Sequence, residues 1–155
     1  MAVEMWTPAG FLIREDTQFI FDPVQEEGYS SIHASAPNTA PVRFAIPTPA
    51  IISDNTSRVD SVMFIFTTNL DGGPLGTLAN GTPVGSRITR IQVHDGSELL
   101  VEQPNLAISG GPEALHRFKV PNSPPVRRGI NMSLSVQFEG QGAAIRFHAA
   151  GARFV

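Results

Sequence analysis

The sequence predicts an all-β fold: an antiparallel β-sandwich or jelly roll of about seven to nine strands, with at most one or two short helical turns. Apolar residues occupy every second position over residues 130–138 and again over 145–149, which is the period of a strand that buries one face. The 14 glycines and 13 prolines indicate frequent turns between short elements. No sustained stretch keeps the period of a helix.

The length of 155 residues favours one domain, a single β-sandwich over residues 1–155. We expect residues 1–40 to form an irregular segment packed on that sandwich. Residues 11–13 and 19–21 are candidate short strands within it, and residues 29–36 fit either an edge strand or a loop. Asp22 is followed by Pro23 and, three residues after the Asp, by Gln25, which is typical of a helix start that Gly28 soon ends.

Two stretches in the middle of the chain have contrasting patterns. Residues 37–49 contain four prolines, and since proline cannot donate a hydrogen bond to a sheet ladder, residues 42–46 between them predict an edge strand. Residues 62–66 are apolar at every position, which predicts a central strand covered on both faces. Residues 68–86 are rich in glycine and predict a long loop, and residues 115–120 predict another strand.

Two hairpins are expected in the second half of the chain. Around Asp95 and Gly96, a two-residue turn would mix polar and apolar residues on each face, whereas a three-residue turn keeps one face apolar, and we favour the latter. The favoured register pairs Ile91 with Val101, Val93 with Leu99, His94 with Glu98 and Arg90 with Glu102. The second hairpin, turning at residues 140–142, pairs Phe138 with Ile145, Val136 with Phe147, Leu134 with Ala149, Gln137 with Arg146 and Ser135 with His148.

Composition argues against several classes of function. The formal net charge is −3 and the densest basic pair is Arg127-Arg128, so nucleic acid is not the expected partner. No apolar stretch is long enough to span a membrane and no signal peptide is recognisable, so we expect a cytoplasmic protein without a membrane partner. Cysteine is absent and the four histidines lack the spacing of a zinc site, so neither a metal nor a cofactor is predicted.

Few residues qualify as candidates for a site. His94 and Glu98 are the catalytic candidates, because a carboxylate across a hairpin can orient an imidazole for acid–base work. A surface charge pair at the hairpin tip is the more ordinary interpretation of the same two residues. Trp6, Tyr29 and Arg90 are the candidates for ligand binding, the first two because an aromatic ring with a polar group can stack on a ligand. Packing in the core or in an interface is the more ordinary interpretation of Trp6 and Tyr29.

Small uncharged residues predict an interface between protomers. Asn131, Ser133, Ser135, Ala150 and Ala152 are expected on faces turned away from the core. A flat face with few charges is typical of a surface that another protomer covers. We therefore expect a homo-oligomer.

Five short motifs from Val42 onward carry a resemblance to a known family. They are Phe44-Ala45-Ile46-Pro47-Thr48-Pro49, Val93-His94-Asp95-Gly96, Arg117-Phe118-x-Val120-Pro121, Gly129-Ile130-x-x-Ser133-x-Ser135-Val136 and Ala149-Ala150-Gly151-Ala152-x-Phe154. Over residues 42–155 the chain resembles a family of small uncharacterised bacterial β-sandwich proteins. The resemblance implies the fold, and it implies no activity and no functional residue.

Two functions of different classes are open. The first is a non-enzymatic binding or self-assembly module of unknown ligand, favoured by the low charge and by the lack of a catalytic motif. The second is a cofactor-independent enzyme, of isomerase or cyclase type, acting on an apolar small molecule in a pocket lined by some of the ten phenylalanines. A third possibility, a phage or virion component, is supported by the jelly-roll pattern alone. An enclosed apolar cavity would favour the enzyme, and a filled core would favour the binding module.

Overall fold

The structure, a computed structural model, describes residues 1–8, 12–14, 20–22, 28–35, 37–49, 51–52 and 55–155. Two antiparallel sheets enclose one core. The six-stranded sheet contains β1 (Val3–Pro8), β3 (Ile20–Asp22), β4 (Ser30–His33), β8 (Val59–Thr67), β15 (Ala114–Lys119) and β17 (Ala144–Phe154). The five-stranded sheet contains β2 (Leu12–Arg14), β5 (Asn38–Ala45), β13 (Ser86–Asp95), β14 (Glu98–Gln103) and β16 (Ile130–Phe138). Short ladders join β6 (Ile51–Ile52) to β7 (Asn55–Thr56), β9 (Asn69–Leu70) to β10 (Gly73–Pro74) and β11 (Gly76–Thr77) to β12 (Pro83–Val84).

The order of strands is that of a sandwich. It is β15-β8-β17-β4-β3 in the larger sheet, where β1 pairs with the second half of β17, and β14-β13-β16-β5-β2 in the smaller one. The predicted all-β antiparallel sandwich is confirmed, and eight of the described strands have six residues or more. Nowhere in the described part of the chain is there a helix long and apolar enough to cross a membrane.

Phenylalanine fills much of the space between the sheets. Six of these side chains are at most 1% exposed: Phe44, Phe64, Phe66, Phe138, Phe147 and Phe154. Phe44 on β5 meets Phe147 on β17 edge to face, with ring centroids 5.3 Å apart, and this contact joins the two sheets. Burying one such side chain stabilises the fold by roughly 1.5–3 kcal/mol.

The predicted hairpin of β16 and β17 is wrong. β16 pairs with β13 and β5, whereas β17 pairs with β1, β4 and β8, so the two strands lie in opposite sheets. Neither the predicted pair Phe138–Ile145 nor the pair Ser135–His148 forms. Strands facing each other across a core bury every second side chain just as a hairpin does, so the pattern is the same for both arrangements. Residues 139–143 cross from one sheet to the other.

The hairpin of β13 and β14 is present, but the register predicted for it is wrong. Its turn has two residues, Gly96 and Ser97. The ladder pairs Asp95 with Glu98, His94 with Leu99, Val93 with Val101, Gln92 with Glu102 and Ile91 with Gln103. A register shift between Val93 and His94 makes the two-residue turn compatible with the apolar pair of Val93 and Val101 farther along the hairpin. The prediction assumed an unbroken ladder, and the predicted cross-strand pair of His94 and Glu98 therefore does not form.

The sequence predicts a central position for β8 from its apolar residues and an edge position for β5 from its prolines. The central position predicted for β8 is confirmed, because β15 and β17 flank it. β5 is not an edge strand as predicted, because it lies between β16 and β2. The described residues of β2 pair with residues 42–44, and Pro41 is not among them, so its missing N–H does not interrupt this part of the ladder.

Within residues 1–40, where the sequence predicts an irregular segment, the described stretches form β1 to β4 and the start of β5. Each of these strands pairs within one of the two main sheets. β4 lies between β17 and β3, so it is neither a loop nor an edge strand. Most of the predicted helix start, from Pro23 to Gln25, lies outside the described residues.

Candidate functional site

The outer face of the five-stranded sheet is polar. The ladders of β13, β16 and β5 set its side chains in rows across the three strands. The rows are Arg87–Gln137–Thr39, Arg90–Ser135–Pro41, Gln92–Ser133–Arg43 and His94–Asn131–Ala45. Most of these side chains can donate or accept hydrogen bonds, and the pleat of a regular sheet holds them side by side.

An open groove of about 700 Å³ lies over one end of this face. The strands contribute Thr39, Arg87, Thr89, Arg90, Ser135 and Gln137 to it, and the segment after β14 contributes Pro104, Asn105, Leu106 and Ala107. That segment is fixed to β13, because Leu106 N–H donates to the Thr89 carbonyl at 2.9 Å. Ile88 and Ile108 also exchange two backbone hydrogen bonds, of 2.9 and 3.0 Å. The groove therefore has a polar floor made by strands and a wall that includes apolar side chains.

Two arginines of β13 are held against the floor of the groove. Arg87 Nε donates to Gln137 Oε1 at 3.1 Å, and Arg90 Nε donates to Ser135 Oγ at 3.2 Å. The structure therefore places Arg90, a ligand-binding candidate of the sequence analysis, in the groove. Arg87 is not identifiable as its neighbour from the sequence, because residues 87 and 90 of an unbroken strand would point to opposite faces. Gln137 was predicted to lie opposite Arg146 in the hairpin that does not form, and it lies opposite Arg87 instead.

Two glutamates at the rim approach these arginines. Glu139 lies 3.6 Å from Arg87 Nη1, and Glu102 lies 3.6 Å from Arg90 Nη1. Arg90 and Glu102 are thus neighbours as predicted, although Gln92 is the residue opposite Glu102 in the ladder. Partly exposed ion pairs of this kind contribute about 0–1 kcal/mol each. Neither glutamate lines the groove, and within the part of the chain that the structure describes the lining has two cationic side chains and no acidic one.

The two catalytic candidates are not brought together by the ladder. His94 is half-buried and lies opposite Leu99 on β14 and Asn131 on β16. Glu98 is exposed at the start of β14, opposite Asp95. Neither residue lines the groove.

A buried carboxylate beside them was missed by the sequence analysis. Asp95 accepts the backbone N–H groups of Arg127, Arg128 and Gly129 at 2.7, 2.7 and 2.8 Å. Burial works to raise the pKa of Asp95, but these three hydrogen bonds and the charge of Arg128 outweigh it and lower the pKa. Asp95 therefore fixes the chain that leads into β16. An Asp at the end of a strand is the only signal that the sequence offers for this role.

A second polar cluster lies around His148, on the outer face of the six-stranded sheet. The Thr67 hydroxyl lies 3.0 Å from His148 Nε2 and accepts the Glu113 backbone N–H at 3.0 Å. His148 Nδ1 lies 3.5 Å from a Glu113 carboxylate oxygen. Burial lowers the pKa of His148, while Glu113 raises it in part and Arg146 lowers it. Thr67 is 2% exposed, so its hydroxyl anchors the residues before β15 and does not face a substrate.

Trp6 and Tyr29, the other ligand-binding candidates, lie in the six-stranded sheet region and away from the groove. Trp6 on β1 packs over Gly151 on β17, where an added Cβ atom would come within 2.8 Å of the indole ring. The indole remains partly exposed. Tyr29 lies under the guanidinium group of Arg146, whose Cζ is 4.6 Å from the ring centroid. Neither ring lines the groove.

The small-residue faces predicted to form an interface are only partly on the surface. Ala150 and Ala152 are fully buried in the core, so their predicted place on an outer face is wrong. The cause is a register shift between Phe147 and Ala149, which reverses the faces of the residues that follow. Ser133 and Ser135 do lie on the outer face of their sheet, where both are buried.

The hypothesis of a cofactor-independent enzyme requires a cavity lined by phenylalanines. The six fully buried phenylalanines pack in the core, and none of them lines the groove. Among the described residues, no three His, Asp or Glu side chains come together in a way that could hold a metal ion. The groove on the five-stranded sheet is therefore the candidate site.

The fold is similar to that of two carbohydrate binding modules. The chain aligns with a low-affinity xylan binding module, CBM86, from Roseburia intestinalis at a TM-score of 0.53 and 12% identity, over 99% of this chain and 96% of that one. It aligns with a family 35 carbohydrate binding module from Clostridium thermocellum at a TM-score of 0.50 and 14% identity, over 97% of each chain. No protein-family model and no curated protein matches the sequence. At such identities the similarity shows the fold, which is the β-sandwich of these modules.

Proposed function

We propose that the protein is a non-enzymatic binding module whose groove takes a hydroxyl-rich ligand, a carbohydrate. The observation that carries the proposal is the groove itself, which is open, has a volume of about 700 Å³ and lies over the five-stranded sheet. Its floor is made of side chains that pack against neighbouring strands, so little conformational freedom is lost when a ligand binds.

The chemistry of the lining fits a sugar. Sugar hydroxyls both donate and accept hydrogen bonds, and Gln137, Asn105 and Ser135 can do the same. Sugar rings also present C–H groups, and Leu106 and Pro104 offer apolar surface on the wall. The xylan binding module of similar fold makes xylan the first ligand to try.

Binding without turnover is favoured by the side chains present. Glycoside hydrolysis uses a pair of carboxyl groups, and general acid–base catalysis most often uses an imidazole or a carboxylate. The described residues that line the groove are Arg, Gln, Asn, Ser, Thr and apolar residues, which position a ligand but do not exchange protons readily near neutral pH.

The proposal is tested by filling the groove. Ala107 is exposed on the groove wall, and Ala107→Trp should weaken the retention of polysaccharides in affinity gel electrophoresis by about tenfold or more. Ala79→Trp is the control, because Ala79 is also exposed and lies outside the groove. Unchanged retention of Ala107→Trp, or no retention of wild type by any polysaccharide, would contradict the proposal. Release of reducing ends during the assay would instead indicate an enzyme.

We also propose self-association through the outer face of the six-stranded sheet. The ladders set Pro8, Ala149, Ile65 and Leu115 in one row across four strands. Leu115 is among the most exposed large apolar residues, and Trp6 lies in the adjacent row. Arg117 lies in the same adjacent row as Trp6, and its guanidinium group pairs with the Glu4 carboxylate at 2.9 Å. A second copy related by a two-fold axis could therefore match cation to anion around an apolar centre.

The cytoplasmic location stays a prediction. Fractionation of cells that produce the protein, followed by immunoblotting of each fraction, is the measurement that decides it.

A further inference from the structure

A β-bulge sets two arginines side by side on the floor of the groove. The ladder of β13 and β16 pairs Arg87 with Gln137 and, after a register shift at Thr89, Arg90 with Ser135. Three residues along a regular strand lead to the opposite face of the sheet. Because the bulge adds one residue to β13, both arginines point to the outer face.

The two guanidinium groups are oriented by the neighbouring strand. Each Nε atom donates to a side-chain oxygen of β16, that of Gln137 or of Ser135. A guanidinium has five N–H donors, so each arginine keeps donors on its terminal nitrogen atoms. The side chains of Arg87 and Arg90 are 42% and 44% exposed, so these donors remain accessible to a ligand.

Among the described residues, the lining of the groove has a charge opposite to that of the whole chain. The chain has a formal net charge of −3, whereas the described residues that line the groove include two arginines and no acidic residue. Glu102 and Glu139 stay at the rim, 3.6 Å from the terminal nitrogen atoms, which is longer than a hydrogen bond. A ligand carboxylate that accepts two N–H bonds from one guanidinium makes a stronger pair and can replace such a contact.

We infer that the groove recognises an acidic carbohydrate, one whose sugar rings carry a carboxylate, and binds that carboxylate between Arg87 and Arg90. The inference rests on the proposed function and adds the class of ligand. The hydroxyl groups next to the carboxylate are suitable partners for Gln137 and Asn105.

The test compares polysaccharides that differ only in charge. Polygalacturonate, glucuronoxylan and alginate are each assayed beside their carboxyl-reduced forms, in which the carboxylate has become a hydroxymethyl group. Isothermal titration calorimetry with wild-type protein should show at least one acidic form bound about tenfold or more tightly than its reduced form. The affinity should also fall as salt is raised, because the interaction is between charges.

Arginine variants locate the site. Arg87→Gln and Arg90→Gln should each weaken binding of the acidic polysaccharide about tenfold or more. Arg153→Gln is the control, because Arg153 is 43% exposed on the other sheet and its replacement removes the same charge. Thermal unfolding verifies that each variant is folded, and the comparison of acidic and reduced forms on wild type does not depend on any variant.

Three results would overturn the inference. If reduced forms bind as tightly as acidic ones, the ligand class is wrong while the proposed function stands. If Arg87→Gln and Arg90→Gln both bind like Arg153→Gln, the acidic ligand does not use this arginine pair. If no polysaccharide of either kind binds, the proposed function fails and the inference fails with it.

Discussion

At the scale of single residues, one carboxylate connects the turn of a hairpin to the start of another strand. Asp95 is buried at the end of β13 and receives three backbone N–H groups from residues 127–129. Backbone N–H groups that lose a buried acceptor are costly, because water cannot replace it. Asp95 therefore sets where the chain enters β16, whose serine and glutamine side chains form the floor of the groove.

We predict that Asp95→Asn lowers the free energy of unfolding by about 2–3 kcal/mol, since the amide keeps one acceptor and loses the charge. Urea unfolding at neutral pH measures this loss. Asp71→Asn is the control, because Asp71 is exposed in the turn between β9 and β10. Equal urea midpoints for Asp95→Asn and wild type would contradict the role given to Asp95.

The same variant also tests how the free energy of unfolding depends on pH. The pKa of Asp95 in the folded protein is lowered from its ordinary value of 3.8, so the folded state holds fewer protons than the unfolded state as the solution is acidified. The stability that the carboxylate contributes is present above pH 3.8 and is lost as the pH falls through the folded pKa. The difference in unfolding free energy between wild type and Asp95→Asn should therefore shrink in acid.

At the scale of elements, β1 depends on a close approach to β17. The Trp6 indole and the Met5 carbonyl would lie 2.8 and 2.7 Å from a Cβ atom on residue 151, which only glycine avoids. We predict that Gly151→Ala displaces β1 and destabilises the protein by about 1–3 kcal/mol. Trp6 is the only tryptophan, so its fluorescence emission should shift to longer wavelength as the ring gains exposure.

The control for Gly151→Ala is Gly85→Ala. The nearest atoms to a Cβ atom there would belong to the flexible end of the Glu139 side chain, the first of them at 3.0 Å. Fluorescence and urea midpoints of Gly85→Ala should stay near those of wild type. An emission maximum unchanged in Gly151→Ala would mean that β1 tolerates the added methyl group.

The elements also show which parts of the fold could be predicted. Alternating side chains revealed β16 and β17, because burial of one face is a property of the strand itself. The strands with which β16 and β17 pair could not be predicted, because the same alternation occurs in a hairpin and in two strands that face each other from opposite sheets. Few features of the sequence indicate that β1 and β4 are strands, because the strands with which they pair come from distant parts of the chain.

The candidate site was predicted only in part for a related reason. Arg90 was selected from the sequence, but Arg87 joins it through the bulge at Thr89, and nothing in a run of side chains marks where a bulge occurs. A second bulge in β17 turned Ala150 and Ala152 into the core against the prediction. Single-residue irregularities thus decide the face on which a functional side chain lies.

At the scale of the whole molecule, self-association is the property to measure. We predict that wild type has twice the monomer mass of 16.6 kDa in size-exclusion chromatography with light scattering, and that Leu115→Glu is monomeric. A charge in the middle of an apolar interface leaves an anion without a partner when the interface forms. Leu99→Glu is the control, because Leu99 is 47% exposed, compared with 57% for Leu115, and lies on the other sheet. A monomeric wild type would contradict the prediction.

The place of β17 in its sheet has a consequence for biosynthesis. β1, β4 and β8 all pair with β17, although they precede it by between about 80 and 140 residues. During translation the earlier strands leave the ribosome without their common neighbour, and the larger sheet can close only after residues 144–154 have emerged. Unpaired strand edges are open to pairing with other nascent chains during that interval, so a chaperone that holds extended segments would act on this protein before the end of β17 is synthesised.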